Sequence, residues 1–560
     1  MYPKISDPDF QKKINKKFAK YKIPEKKRTF DQICFPKKYE LQIPQKFLAE
    51  YINPDTLYKN ILIYHKIGGG KTCAAISIAE QFKSKKKIIV VLPAFLKNSF
   101  RSELRTECTG SNYLTKSERT MLADLRPTDP SYIDIINKSN ARIDAVYNIY
   151  SYNKFVNIIQ TIGIKLTNTL LIIDEVQNMI NETGVYYEIL YDTIKSAPLD
   201  LRLVLLSATP IFDKPVELAL TMNLLLEKKL PTGREFYATY LDMHKTNKGY
   251  VYETKNMDSF KELIRGRVSY YAGAPSYVFP KSEIHFIKCE MSPLQLRMYK
   301  SIALTENVDI DFDFIETDLT NSFYSGTRTC SNFAYPDYTH YDKLTDTDFK
   351  LNQLPKYSCK YYKIITHIIK SSGTIFIYSN FRKNGGIRSL ARTLRVNGFK
   401  DYATDGEGPN RFAIWSGIEK MSYRDEVKNI FNLKSNESGS KIKIILGTPA
   451  IREGVSLLRL AEIHILEPYW NFSRISQIMG RGIRFCSHKD VILSKRLVKV
   501  YIYLAIHKSL AKSVDEKIMD MALKKELINR DFERALKEVA VDCELFKSAN
   551  MIDNKYICDI

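Results

Sequence analysis

The stretch that most constrains the fold is Ile61-Leu62-Ile63-Tyr64, followed by Gly68-Gly69-Gly70-Lys71-Thr72 and then Cys73-Ala74-Ala75-Ile76-Ser77-Ile78-Ala79. An apolar strand-like run, a glycine loop and an apolar helix-like run make a strand–loop–helix unit suited to holding a triphosphate. Glycines let backbone N–H groups converge on phosphate oxygens, and the helix N-terminus adds a favourable partial charge. In such a loop Lys71 reaches the β- and γ-phosphates and the Thr72 hydroxyl takes a place on Mg²⁺. The full pattern asks for Gly at position 65, where this chain has His65. The motif therefore needs partners downstream.

The first partner follows the apolar run Leu170–Ile173 as Asp174-Glu175-Val176-Gln177. A carboxylate at the carboxyl end of a buried strand can hold Mg²⁺, and the adjacent Glu175 can orient and deprotonate the attacking water. Two neighbouring acids in a loop are usually solvated turn residues; placed behind a strand downstream of a phosphate loop, they read as a site. Ser207-Ala208-Thr209-Pro210 follows the next run, Leu203–Leu206, as a relay of nucleotide state or as a strand-ending turn. Much later, Gln477-Ile478-Met479-Gly480-Arg481-Gly482-Ile483-Arg484 sets two arginines three apart. On a helix that spacing puts both on one face, aimed at a γ-phosphate across a cleft. Arginine suits this work because its fork of donors matches phosphate oxygens and its charge persists at any working pH. Gly447-Thr448 and Glu453-Gly454-Val455-Ser456 lie after the run Ile442–Leu446, where a second cleft-facing loop is expected.

Charge narrows the partners. Against 63 acidic residues stand 85 Lys+Arg, a net charge of +22. This excess points to a polyanion, nucleic acid first and an anionic membrane surface second, with a merely soluble basic protein as the plainer reading. The nine cysteines are scattered singly, without a C-x-x-C pair, so neither zinc nor a disulfide framework is expected and a reducing compartment fits. The lysine-rich N-terminus lacks the apolar core of a secretory signal, and the most hydrophobic stretch, Ile88 to Leu92, is only strand-length.

Five regions are expected. Residues 1–40 carry twelve basic against five acidic residues and read as a basic arm or peripheral helix. Residues 41–225 alternate apolar runs with helical patterns, which implies a parallel sheet covered on both faces. Residues 226–355, with an acidic stretch (Glu306 to Thr320) and a Tyr/Asp-rich one (Tyr335 to Asp348), read as a linker and inserted mixed segment. Alternation returns over 356–510 with runs at Thr374–Tyr378, Ile442–Leu446, Ile463–Leu466 and Val498–Leu504. A helical tail, 511–560, opens on the capping box Ser513-Val514-Asp515-Glu516.

Taken in order, G-G-G-K-T, D-E-V-Q, S-A-T-P and Q-I-M-G-R-G-I-R resemble the motifs of superfamily 2 helicases and translocases over nearly all of residues 41–510. The resemblance implies an α/β protein of two RecA-like parallel-sheet domains with ATP between them. Gln45 stands at the place of that family's adenine-reading glutamine, and Gln177 where many members have His. Met291-Ser292-Pro293-Leu294-Gln295 with Tyr299, and Leu466-Glu467-Pro468-Tyr469-Trp470-Asn471, are similar to Swi/Snf-type translocases. Three further segments, Arg265-Gly266-Arg267-Val268-Ser269-Tyr270-Tyr271, Arg484-Phe485-Cys486-Ser487-His488 and Ala540-Val541-Asp542-Cys543, resemble helicase-like transcription proteins of large nucleocytoplasmic DNA viruses, as does the His65 variant loop. Early transcription factor small subunits and nucleoside triphosphatases I are the two groups within them.

The resemblance implies a nucleic-acid-dependent ATPase acting on DNA in viral early transcription. An RNA helicase, and a promoter-binding subunit with residual ATPase, are the alternatives. It implies ATP and Mg²⁺ as cofactors. Lys71, Asp174, Glu175, Gln477, Arg481 and Arg484 would be catalytic; Gln45, Gly68, Gly69, Gly70, Lys71, Thr72 and Gly454 would bind nucleotide; Thr72 and Asp174 would hold the metal. Nucleic acid would be touched by loops near Pro93 and Thr448. DNA is favoured over RNA, a second transcription-factor subunit and a viral RNA polymerase are expected partners, and no membrane is. The implied places are the virion and the host cytoplasm.

Overall fold

Unbroken apolar strands that alternate with helices bury both faces of a sheet, and the computed structural model holds two such sheets. It describes residues 2–558 apart from 26–27, 38, 67, 127–128, 181–183, 247–248, 309–318, 321, 338–342, 452–454 and 552–555. Two compact units divide the chain. One runs to Ser276 and takes in the residues from Ile528 onward; the other is Tyr277–Leu527.

The first unit contains β1 (Asn60–His65), β2 (Lys87–Leu92), β3 (Tyr147–Ser151), β4 (Thr169–Ile173), β5 (Arg202–Ser207) and β8 (Val268–Tyr271), in the spatial order β3-β2-β4-β5-β1-β8. All its pairings are parallel. A separate antiparallel hairpin is formed by β6 (Leu241–Thr246) and β7 (Gly249–Thr254). The sheet places the ends of β1, β4 and β5 side by side, which brings three distant motifs to one edge.

The second unit is a seven-stranded parallel sheet made of β9 (Lys281–Glu290), β10 (Thr374–Tyr378), β11 (Lys400–Asp401), β12 (Arg411–Trp415), β13 (Ile444–Gly447), β14 (Leu460–Ile465) and β15 (Leu497–Ile506). Its order is β11-β12-β13-β10-β14-β15-β9. Two parallel-sheet α/β units of this kind match the RecA-like expectation.

Several local expectations change. Of the two readings of residues 1–40, basic arm or peripheral helix, the structure shows a packed helix: Phe10 and Ile14 from the helix Phe10–Lys17, with Phe18, are wholly buried among Phe47, Tyr51 and Tyr58. Phe18 meets Phe47 edge-on at 5.3 Å, and Tyr51 stacks on Tyr58 at 4.2 Å. The lysines Lys12, Lys13, Lys16 and Lys17 stay outside, so the segment is amphipathic. The expected irregular region 226–355 carries β6 to β9; β8 is short and β9 is mostly exposed, leaving no apolar run to read. Most of its acidic stretch, 309–318, and residues 338–342 of the Tyr/Asp-rich stretch lie outside the described residues. The tail opens as expected, with Glu516 Oε2 accepting from the Ser513 N–H at 2.9 Å, and its helix is Val514–Glu538. Cysteines expected to stand singly are paired: Cys73 with Cys108, and Cys543 with Cys558. Each pair is joined by chain folding rather than by motif spacing, so no short pattern announces it. Among the described residues no helix is long and apolar enough to cross a membrane.

Candidate active site

The phosphate loop leaves β1 at His65 and enters the helix Lys71–Phe82 through Gly70, whose φ of 67° lies in the left-handed region. A Cβ on Gly70 would stand 2.4 Å from Gln45 Nε2 and would have to displace that carboxamide, in a backbone conformation that already favours glycine. Gln45 is buried on the helix Ile43–Tyr51; its Nε2 donates to the Gly70 carbonyl at 3.2 Å and its Oε1 accepts from the Gln42 N–H at 2.8 Å. Its carboxamide thus braces the loop. Gly68, with φ 83°, and Gly69 complete the turn, and Thr72 sits in the first helical turn.

Lys71 Nζ lies 2.6 Å from Glu175 Oε1 and 3.7 Å from Asp174 Oδ1. Burial penalises the ammonium, but Glu175 and then Asp174 more than compensate and leave its pKa above the ordinary value. Asp174 is buried at the end of β4 and is pushed up to about 6 by loss of solvent, against the pull of Lys71 and with help from Glu175. Glu175 adopts a left-handed backbone, φ 52°, which is uncommon for a residue other than glycine. The Tyr152 hydroxyl supports that turn by donating to the carbonyls of Asp174 at 2.6 Å and Glu175 at 2.9 Å. No motif pointed to Tyr152, because its contribution is one hydroxyl arriving from another element.

A side-chain relay leaves the acids toward β5. Gln177 Nε2 donates to Glu175 Oε2 at 2.6 Å, and the Ser207 hydroxyl donates to Gln177 Oε1 at 2.7 Å. The Thr209 N–H closes back on Ser207 Oγ at 3.1 Å. The S-A-T-P segment is therefore more than a strand-ending turn: it fixes the amide that fixes the candidate base.

In the second unit the helix Phe472–Met479 carries Gln477 and stops at Gly480. Arg481 and Arg484 lie beyond its end, so they do not share a helical face as their spacing suggested. A Cβ on Gly482 would approach Leu460 Cδ2 to 2.4 Å, so the segment after the helix packs closely on β14. Arg481 donates to the carbonyls of Gln477 at 3.1 Å and Val455 at 3.2 Å. Arg484 Nε donates to the Gly480 carbonyl at 2.7 Å, its Nη1 to the Ser456 hydroxyl, and burial lowers its pKa. Thr448 is buried, and its N–H donates to the Trp415 carbonyl at 3.1 Å. Pro93, also buried, ends β2 ahead of the turn Ala94–Leu96. Gly454 lies outside the described residues.

The SNF2-related domain family matches residues 45–332, just over half of the chain. A protein named as a putative ATP-dependent RNA helicase of Acanthamoeba polyphaga mimivirus is 56% identical over 98% of this chain and 97% of its own length. The chain belongs to the SNF2-related helicase family. A putative helicase of Invertebrate iridescent virus 3 is 28% identical over 99% of this chain and 58% of its own length. A protein of African swine fever virus named termination factor NPH-I homolog is 26% identical over 87% of this chain and 76% of its own. As a member of the SNF2-related family, with helicases of large DNA viruses as relatives, the chain is an ATP-hydrolysing, helicase-like enzyme that binds nucleic acid.

Proposed function

We propose that this enzyme is an ATP-driven translocase on double-stranded DNA that serves viral gene transcription. The observation that carries the reading is the Lys71–Glu175–Gln177–Ser207 array, which ties a phosphate-loop lysine to a candidate base and a relay. Glu175 takes the proton of the attacking water, and Gln177 holds its second oxygen so that the first faces the water. Arg481 and Arg484 stabilise the charge that develops on the transferring phosphoryl group. Gln45 and Gly68–Gly70 shape the nucleotide cradle.

The residues fit a small divalent cation. Asp174 and Thr72 supply hard oxygen donors, and the carboxylates already surround one positive charge, the Lys71 ammonium. A bound Mg²⁺ would neutralise phosphate charge there; Asp174 and Thr72 would hold it.

The relative named as a termination factor supports DNA and transcription. The net charge of +22 supports a polyanionic track. Work in a viral factory of the host cytoplasm and packaging in the virion, beside a second transcription-factor subunit and a viral RNA polymerase, belong to the same proposal. The RNA-helicase name of the mimivirus relative favours a second reading, unwinding of duplex RNA. Displacement of a third strand from a DNA triplex, run beside unwinding of a tailed RNA duplex, separates them. ATP-dependent triplex displacement without RNA unwinding supports translocation on DNA; the reverse pattern overturns it.

A further inference from the structure

His65, Ser269 and Asp542 are far apart in sequence and wholly buried. Each belongs to a segment the motif reading left unexplained: the variant loop, Arg265–Tyr271 and Ala540–Cys543. The fold brings the three together. His65 ends β1, whose pairing with β8 sets His65 beside Tyr271. From β8 the Ser269 hydroxyl lies 3.0 Å from His65 Nε2 and donates to Asp542 Oδ2. The other carboxylate oxygen, Oδ1, accepts from the Tyr270 N–H at 2.9 Å.

We propose that His65, Ser269 and Asp542 form a positioning chain through which the 540–543 segment holds the phosphate loop in its nucleotide-binding shape. With Asp542 ionised, Ser269 gives its one proton to Asp542 and its Oγ accepts from His65 Nε2. Burial and the nearby Lys71 charge lower the His65 pKa to about 3, against the effect of the Gly69 backbone, so the ring is neutral. Orientation, rather than charge, is what the chain transmits.

Position 65 lies directly against the loop. A Cβ on Gly69 would lie 3.3 Å from His65 Cβ and 3.0 Å from the Lys66 carbonyl, so the loop folds back closely over position 65. The next residue is tied down too: the Lys66 N–H donates to the Tyr271 carbonyl at 3.0 Å, and the Gly69 N–H to the Lys66 carbonyl at 3.0 Å.

The far end of the chain is anchored independently. The Val541 N–H donates to the Val268 carbonyl at 2.8 Å, and Gln11 Nε2 to the Ala540 carbonyl at 2.7 Å. Cys543 is bonded to Cys558, and Asn550 bridges the Ala272 N–H and the Tyr270 carbonyl. A glycine at 65, as the ordinary loop pattern has, would remove the side-chain link from this anchored segment to the loop and leave only the backbone ties through β8.

The inference rests on residues 68–72 being the phosphate cradle. The test is titration of the full chain with a fluorescent ATP analogue, together with KM and kcat, for Ser269→Ala, Asp542→Asn, His65→Gly and the double variant His65→Gly/Ser269→Ala. Each single change is expected to weaken nucleotide binding and raise KM about tenfold, with kcat at saturation within about twofold. The double variant is expected to be no worse than His65→Gly, because both changes cut one chain. Asp542→Asn keeps shape and the hydrogen bond from Tyr270, so it reports even if Ser269→Ala fails to fold. Wild-type affinity in the folded variants, or losses that multiply in the double variant, overturns the positioning chain. Lys71→Ala is the control: wild-type nucleotide affinity in that protein overturns the cradle itself.

Discussion

The two candidate halves of the chemistry are held in different ways. In the first unit Lys71, Glu175, Gln177 and Ser207 hold one another through side chains, as an ion pair and two amide or hydroxyl hydrogen bonds. In the second, mainly backbone carbonyls, of Gln477, Val455 and Gly480, with the Ser456 hydroxyl, receive the guanidinium groups of Arg481 and Arg484. A side-chain ion pair can reopen when a ligand brings its own charges. A guanidinium fixed by carbonyls keeps its place and its charge. On the proposed function, ATP phosphates compete with Glu175 for the Lys71 ammonium and free the carboxylate for water.

Substitutions can break this contrast, and the largest effect belongs to the base. Glu175→Gln keeps the shape of the relay and removes the proton acceptor, so steady-state turnover falls by about 10²–10⁴-fold while filter binding still detects ATP. Arg484→Ala comes next: hydrolysis falls by about 10²–10³-fold with nucleotide affinity changed far less, and Arg484→Lys does not restore it because an ammonium cannot reproduce the fork. A fully active Lys variant would reduce Arg484 to a structural charge.

Smaller effects sharpen the picture. Gln177→Ala leaves Glu175 unsupported on one side, and kcat is expected to drop about tenfold, with Ser207→Ala moving it in the same direction. An unaltered kcat in both would make the relay a packing feature. Replacing Lys12, Lys13, Lys16 and Lys17 with Gln keeps the buried Phe10, Ile14 and Phe18 in place. If this face grips a phosphate backbone, the slope of log affinity against log salt shallows by about 0.9 for each phosphate no longer neutralised; an unchanged slope assigns the lysines to solvent.

The smallest effect is on pH dependence. Burial pushes Asp542 up to about 7 from its ordinary 3.8, against its hydrogen bonds to Ser269 and Tyr270. Between those values the folded chain binds more protons than the unfolded one, so this group's contribution is full below 3.8 and is lost as pH rises toward 7. Melting temperatures measured across that window should fall less steeply for Asp542→Asn than for the natural chain. Equal slopes would contradict the shift.

The sequence was most legible where chemistry is local. The phosphate loop, the acids after β4 and the hydroxyl turn after β5 each sit next to an unbroken apolar strand, so position and type could be read together. It was least legible where distant segments meet. Tyr152, the Cys73–Cys108 bond and the meeting of His65 with Ser269 and Asp542 depend on strand order, which no short pattern encodes. The helix expected to carry both arginines ends at Met479, ahead of Gly480 and Gly482, which residue spacing alone does not show. The N-terminal lysines masked an apolar stripe, Phe10, Ile14 and Phe18, that buries itself in the first unit.

The central claim is that nucleic acid switches on ATP hydrolysis at the Lys71–Glu175 centre. Its most direct test is the steady-state ATPase rate of the full chain at saturating ATP, with and without double-stranded DNA, in the natural protein and in Glu175→Gln. The account predicts stimulation of at least about tenfold in the natural protein and a rate near background with or without DNA in the variant. A natural protein equally active without nucleic acid, or a Glu175→Gln protein still stimulated by DNA, would contradict it.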